Sequence, residues 1–597
     1  MKFTYTTKKV SQYLFFTTFL GLAACSGIHQ NQTITNVVTP VAGSPENLQQ
    51  EDNEPEVDPN LPKVELDQKT LEQLLIQNFA SYNSQWVLSS KNSLAAAKSS
   101  GDYRLAQTST LLALRGDDYE LALEGAELWF ELMPESETAK NLMFISQLGA
   151  GRTSQAIQTI GAFYVNDDIN VTIEQVADLV VQQKNQTSGI AVMSNFITEN
   201  PQSAQAHLSA AYVAEVYRRY DDAQKWLDKA IELRPGWEIA AQMKSDILQS
   251  RGNTEERSQF LEEYAASHPE SVNMNINYAA DLARQERYQD AYVVMQQVIE
   301  LDPKNSGALN YIAALAGQLE DTEQAEKYFR QSLNADPKND TARWSLGRLA
   351  YTNEKYISAE KYFNGITEQD RLIEAQIQVA NSRYHTQGLK KALSTLELLE
   401  PQTEGEYVGI ALARHNLLVR DFKFEEALGH INEVLLNLPN DLDLLYSRAI
   451  VAAELKKVDI AEADFRAILK LEPDNADTLN ALGYTLADQT ERYEEARDLI
   501  AKALEIKPDA AYILDSMGWV LYRLNDYPKA LEHLQKAYDL TDEVEIASHL
   551  GEVLWVSGEQ QKALEVWQKA LNAEPSSPVL KDTLQRFDVS LSPIKAN

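Results

Sequence analysis

Residues 461–473 read AEADFRAILKLEP: an alanine, a phenylalanine four places on, an isoleucine at +7 and a proline at +12. On a helix the +4 and +7 positions share the alanine's face, and a proline at +12 cannot continue the helix. The same ruler fits AEKYFRQSLNADP (325–337), ARDLIAKALEIKP (496–508) and ALEVWQKALNAEP (563–575). It also fits KWLDKAIELRP (225–235), with Ala223 just ahead of it. Slid along the chain, it sets an alanine at 122, 156, 223, 291, 325, 359, 392, 427, 461, 496, 530 and 563. Gly189 and Arg257 occupy the slot at two weaker registers. Successive marks lie about 34 residues apart. Prolines 134, 201, 235, 269, 303, 337, 439, 473, 508 and 575 keep the same beat.

A small residue recurring on this period marks the close crossing of two antiparallel helices, with the proline ending the second one. The first helix of the pair carries its own small residue at Gly347, Gly483, Gly518 and Gly551, preceded by Leu346, Leu482, Met517 and Leu550. This pattern resembles the tetratricopeptide repeat, a helix–turn–helix unit of about 34 residues. The resemblance covers about fourteen units over residues 103–577. It implies an all-α fold, a superhelical solenoid in which each unit buries its apolar face on its neighbours. Residues 578–597 then read as a capping helix, KDTLQRFDV (581–589), and a tail. Residues 68–102 look helical without a clean register, either as degenerate repeats or as a separate docking element.

The N-terminal part is different. Lys2, Lys8 and Lys9 precede YLFFTTFLGLAA (13–24), and then comes Cys25, the single cysteine of 597 residues. The apolar run is short of the roughly 20 residues a membrane-spanning helix needs, and its layout is that of a signal peptide over 1–24. Leu22-Ala23-Ala24-Cys25 resembles the bacterial lipobox. That resemblance implies cleavage between Ala24 and Cys25 and three acyl chains, palmitate among them, on the mature N-terminus. The alternative is an ordinary cleaved signal with an incidental cysteine. Two or more acyl groups anchor durably where one does not. Ser26, where an inner-membrane lipoprotein tends to carry Asp, implies the outer membrane, with the protein facing the periplasm. Residues 25–67 hold prolines 40, 45, 55, 59 and 62, an acidic cluster at 51–58 and no periodicity, and read as a disordered tether. Its expected root-mean-square reach is about 35 Å. With one cysteine the chain has no internal disulfide.

Against 54 basic residues stand 88 acidic ones, a net charge of -34, which argues against nucleic acid as a partner. The eight histidines form no two-histidine helical metal motif, and neither a GxSxG elbow nor a phosphate-cradling loop is present. No catalytic residue, metal or cofactor is therefore expected. What remains is binding. In tetratricopeptide repeats the first helices line the concave surface. That places Trp344, Arg348 and Tyr351, then Tyr446, then Asn480 and Tyr484, then Asp515, Trp519 and Tyr522, as candidate partner contacts. Aromatic and arginine side chains are common interface anchors. The competing reading for each is helix packing. Basic residues are few among them, so a free C-terminal carboxylate is a poor match for the groove.

The segments 479–504, 513–537 and 549–571 resemble large tetratricopeptide outer-membrane lipoproteins of Gram-negative bacteria. The best-understood type is the lipoprotein partner of a periplasmic carboxy-terminal processing protease. The resemblance implies a non-catalytic adaptor that gathers the protease and its peptidoglycan hydrolase substrates. A second reading is a structural scaffold for an envelope machine such as a pilus or an exopolysaccharide exporter. A third, an enzyme within residues 68–115, would need activity in that segment.

Overall fold

A computed structural model of the protein describes residues 67–163 and 168–592. The expected signal peptide, Cys25, the tether to residue 66 and the last five residues lie outside the described residues. Among the described residues are 31 α-helices, one 3-10 turn at Gln369–Arg371 and no strand. The protein divides into two compact units at Pro303 and Lys304. In one, seven antiparallel helix pairs run from Gln68–Tyr82 with Trp86–Ser100 to Val272–Arg284 with Tyr288–Leu301. In the other, eight pairs run from Ser306–Gln318 with Thr322–Ala335 to Val544–Val556 with Gln560–Ala573, and the short helix Pro578–Arg586 follows. The fold is all-α, built of tetratricopeptide repeats.

The ruler's alanines all fall on second helices and are at most 1 % exposed. The glycines of the first helices explain the +4 position. A methyl group on Gly347 or Gly483 would lie 2.7 Å from Phe363 or 2.6 Å from Ile500, and one on Gly518 or Gly551 would be closer still to Leu534 or Trp567. Phe363, Ile500, Leu534 and Trp567 are the +4 residues of their rulers. Each unit thus seats one large side chain on bare backbone, and Trp567 is among the largest fully buried side chains.

The proline does more than end a helix. Two residues after it comes the N-cap of the next first helix: Ser136, Ser203, Asn305, Asn339, Asp441, Asn475 and Ser577 each accept a hydrogen bond from the backbone N–H three residues on. Such a cap contributes about 1 kcal/mol. Inside most pairs, the turn between the helices takes a residue with positive φ. This is glycine at 151, 252, 388 and 558, and Ser84, Asp117, Arg218, Glu286, Glu320, Glu354, Phe422, Lys456 and Asn525, with φ near +60°, in the others.

Irregularity is concentrated around residues 356–420. There the ruler's +12 positions are Arg371 and Glu404 instead of proline. The second helices Tyr356–Phe363 and Leu389–Leu396 have only 8 residues, and the first helices after them, Leu372–Gln387 and Glu404–Arg420, lengthen to 16 and 17. Buried Asp340 ties down the loop after Phe363, accepting from Thr367 N (2.6 Å), Thr367 Oγ1 (2.9 Å) and Glu368 N (2.8 Å). At the N-terminal end, Gln68–Tyr82 leaves Leu71, Leu75, Phe79 and Tyr82 exposed. No helix among the described residues is long and apolar enough to cross a membrane.

Candidate protein-binding surface

Helices Ala476–Gln489, Ala511–Arg523 and Val544–Val556 are the first helices of three successive pairs, and each packs directly on the next. Their interiors are buried without a break over Thr478–Ala487, Ile513–Leu521 and Ile546–Leu554. Most first helices show an apolar stripe with gaps, as Asp340–Thr352 does with Asp340, Ala342, Ser345, Leu346, Gly347 and Ala350. Counted from the glycine, Asn480, Asp515 and Ser548 share one slot, and Tyr484, Trp519 and Glu552 share another one helical turn on. Together they build one wall.

Polar groups dominate that wall. His549 Nδ1 donates to both carboxylate oxygens of Asp515, at 2.9 and 3.0 Å, with the residues 7 % and 2 % exposed. The indole of Trp519 stacks on the His549 ring, centroids 4.5 Å apart and planes 30° from parallel. Burial opposes the imidazolium charge, but the nearby carboxylates of Asp515, Glu545 and Glu552 outweigh it and raise His549 to about 9. Burial also raises the Glu545 carboxyl to about 7, against the pull of protonated His549. Tyr484 is driven well above the ordinary phenol value by burial and by Asp488, Glu545, Asp515 and Glu454. Tyr522, 5.3 Å from Trp519, is pushed up to about 12 by burial and by Glu552. Glu552 in turn accepts from Arg586 of the terminal helix, at 2.7 and 3.1 Å.

An aspartate–histidine pair is also part of a hydrolase triad, but this one lacks the rest. A histidine that keeps its proton to about pH 9 is no general base at neutrality. The neighbouring hydroxyls of Ser516 and Ser548 donate to the carbonyls of Tyr512 and Val544. Among the described residues no three His, Cys, Asp or Glu side chains gather as metal ligands. Aromatic and polar side chains gathered in this way are of the kinds that anchor protein interfaces.

The other candidates lie on earlier pairs of the same unit. Trp344 and Tyr446, which share the slot of Asn480, turn edge-on to the ruler's +4 aromatics: Trp344 to Phe363 at 5.3 Å and Tyr446 to Phe465 at 5.9 Å. Both are half-buried packing residues. Arg348 is partly buried, which weighs against its charge while Glu374 supports it. Tyr351 belongs to a second cluster that the sequence pattern did not single out. Its hydroxyl lies 3.3 Å from His385 Nε2 and accepts from Arg420 Nη1 at 3.3 Å, while Tyr356 stacks flat on His385 at 4.0 Å. Spacing was the available signal, since Tyr351 and His385 fall one repeat apart, as Asp515 and the overlooked His549 do.

Family profiles agree with the repeat fold. Tetratricopeptide-repeat family profiles match residues 475–543, 312–371 and 516–578. A TPR repeat-containing protein of Pseudomonas aeruginosa is 48 % identical over 128 residues, 21 % of this chain and 22 % of that protein. The bacteriophage adsorption protein A of Escherichia coli is 29 % identical over 107 residues, 18 % of this chain and 11 % of that one. The chain thus spans less than a quarter of the length of either relative. Among solved structures, yeast Tom70 covers 87 % of this chain at 16 % identity with a TM-score of 0.32, and all of the Tom70 structure is matched. The Cut9–Hcn1 hetero-tetramer structure likewise covers 87 %, at 13 % identity and a TM-score of 0.32, with 96 % of it matched.

Proposed function

We propose that this tetratricopeptide-repeat protein is a lipid-anchored, non-catalytic adaptor of the outer membrane that faces the periplasm. It would bring a carboxy-terminal processing protease together with peptidoglycan hydrolases. The observation that supports a binding role most directly is the wall of Ala476–Gln489, Ala511–Arg523 and Val544–Val556. It concentrates aromatic and polar side chains on a regular repeat scaffold, where a stack of helices needs only apolar contacts. The protease assignment is supported by the resemblance of segments 479–504, 513–537 and 549–571 to lipoproteins of that type. Holding both partners on one scaffold raises their mutual effective concentration to roughly the millimolar range of short flexible connections.

The test is affinity capture of the intact protein from gently solubilised envelopes, followed by mass spectrometry. A processing protease with peptidoglycan hydrolases is the expected company, and the purified protein is expected to speed hydrolase cleavage by that protease while cleaving nothing alone. Capture of export or pilus components would favour the scaffold reading instead. Anchoring is checked separately: Cys25→Ser is expected to move the protein from the membrane to the soluble fraction, and a variant still membrane-bound contradicts the lipid.

A further inference from the structure

After Pro235, where Ser203 and Asn305 set the pattern for other pairs, the N-cap position holds Trp237, whose side chain caps nothing. A residue that gives up a stabilising cap at a turn points to a use outside the stack. The guanidinium of Arg234 lies over its indole, 4.6 Å from the ring centroid. Arg234 pairs with no carboxylate among the described residues, although acids outnumber bases by 88 to 54 in this chain. The tryptophan holds an unspent cation in place.

The two residues border a cleft of about 660 Å³, a size typical of small-molecule sites. It is built from three successive turns between pairs, at Ile169 and Asn170, at 200–205, and at Arg234 and Trp237. These turns begin the first helices Ile169–Val180, Ala204–Val216 and Glu238–Ser250. No Asp or Glu lines the cleft, whereas four carboxamides do: Asn170, Asn200, Gln202 and Gln205. Three of them are already oriented. Asn170 Oδ1 accepts from Ser203 Oγ at 3.2 Å, Asn200 Nδ2 donates to the Phe196 carbonyl at 3.2 Å, and Gln205 Nε2 donates to Ser209 Oγ at 3.1 Å. That leaves a donor on Asn170, acceptors on Asn200 and Gln205, and the whole Gln202 amide. Mixed donors and acceptors suit hydroxyl groups, each of which does both. Ile169, 43 % exposed, adds apolar contact for ring carbons.

We propose that this cleft binds a saccharide bearing a carboxylate, with its hydroxyls on the carboxamides and its carboxylate on Arg234. An acidic peptide would satisfy Arg234 equally. An extended backbone, however, presents its polar groups along a line, whereas these amides come from two turns and the cation from a third, as a ring with hydroxyls on every side requires. The site goes beyond the adaptor reading and does not rest on it.

The test is saturation-transfer NMR titration of the full-length protein with N-acetylmuramic acid, glucuronic acid, the neutral N-acetylglucosamine and an acetylated Asp-Glu dipeptide. One of the acidic sugars is expected to bind about tenfold more tightly than the neutral one. Arg234→Gln, at an exposed side chain, is expected to remove that advantage and leave the neutral sugar unchanged. Gln202→Ala, also exposed, is expected to weaken every sugar. Preference for N-acetylmuramic acid identifies a cell-wall glycan as the source and preference for glucuronic acid a uronic-acid polysaccharide, and either upholds the site. Absence of saturation transfer to any sugar, an acidic advantage that survives Arg234→Gln, or a dipeptide bound as tightly as the acidic sugars overturns it.

Discussion

The two marks where the ruler lacks alanine show how far a single residue can depart from a repeat. Arg257 is 3 % exposed in a slot that elsewhere holds a methyl group, and its guanidinium donates to Asp281 on the following helix at 2.7 Å. Asp281 also takes Gln285 Nε2 at 2.9 Å. Gly189 goes further than alanine, leaving room for Tyr217, whose hydroxyl donates to the Val180 carbonyl at 2.6 Å. Arg257→Ala is expected to cost about 3 kcal/mol, because it leaves Asp281 buried beside a weaker partner, Arg284 at 3.3 Å. Removing Asp281 as well is expected to restore part of that loss, and urea unfolding of the single and double variants reads the difference. His549 makes stability depend on pH. Its pKa rises from about 6.5 in the unfolded state to about 9 in the fold. Its contribution, up to about 3 kcal/mol, is therefore fully present below pH 6.5 and is lost as pH climbs through 9. Thermal melting of the parent protein should drop across that window, whereas Asp515→Asn should melt lower and with a flatter profile; a flat parent profile would contradict the pairing. Register alone placed Asp515 and Trp519 on the wall. It did not reveal that Trp344 and Tyr446, in an equivalent slot, lie against Phe363 and Phe465, because slot fixes direction while the neighbour's bulk fixes the rotamer.

At the level of the helix pair, the sequence was readable wherever small residue, large residue and proline fell in step. The caps were readable in principle too, as an Asn, Asp or Ser two places after the proline, a chemistry that apolar periodicity does not register. Least visible were the left-handed turns, since Glu320, Phe422 and Lys456 occupy a conformation whose usual marker is glycine. The shortened helices at Tyr356–Phe363 and Leu389–Leu396 coincide with missing prolines, yet the loop that compensates is held by Asp340, a long-range contact that no local pattern announces. The glycine of the first helix gives the clearest test at this scale. Alanine is the better helix former by about 1 kcal/mol, so propensity alone has Gly518→Ala stabilising. Packing reverses the sign, because the new methyl meets the Leu534 side chain and, 3.1 Å away, the Ala530 carbonyl. Backbone cannot move aside cheaply, and a net loss of about 1–2 kcal/mol is expected on denaturant unfolding.

Across the whole molecule, contacts run almost entirely between neighbouring helices, so damage should stay local. Gly518→Ala is expected to lower hydrogen-exchange protection in the pairs around 476–573 and to leave residues 67–303 as protected as before. Uniform loss throughout would show a cooperativity that nearest-neighbour stacking does not supply. The period carried the architecture from the sequence, but it passes through Pro303 without a break, so the division into two units left no trace in the ruler. The residues that hold the two helices of a pair together, such as Ala530, Leu534 and Gly518, are different from those that make up the wall, such as Asn480, Trp519 and Glu545. Selection can therefore act on the two sets separately. A descendant of this protein is free to exchange its wall, and with it the company it keeps, while inheriting the stack intact.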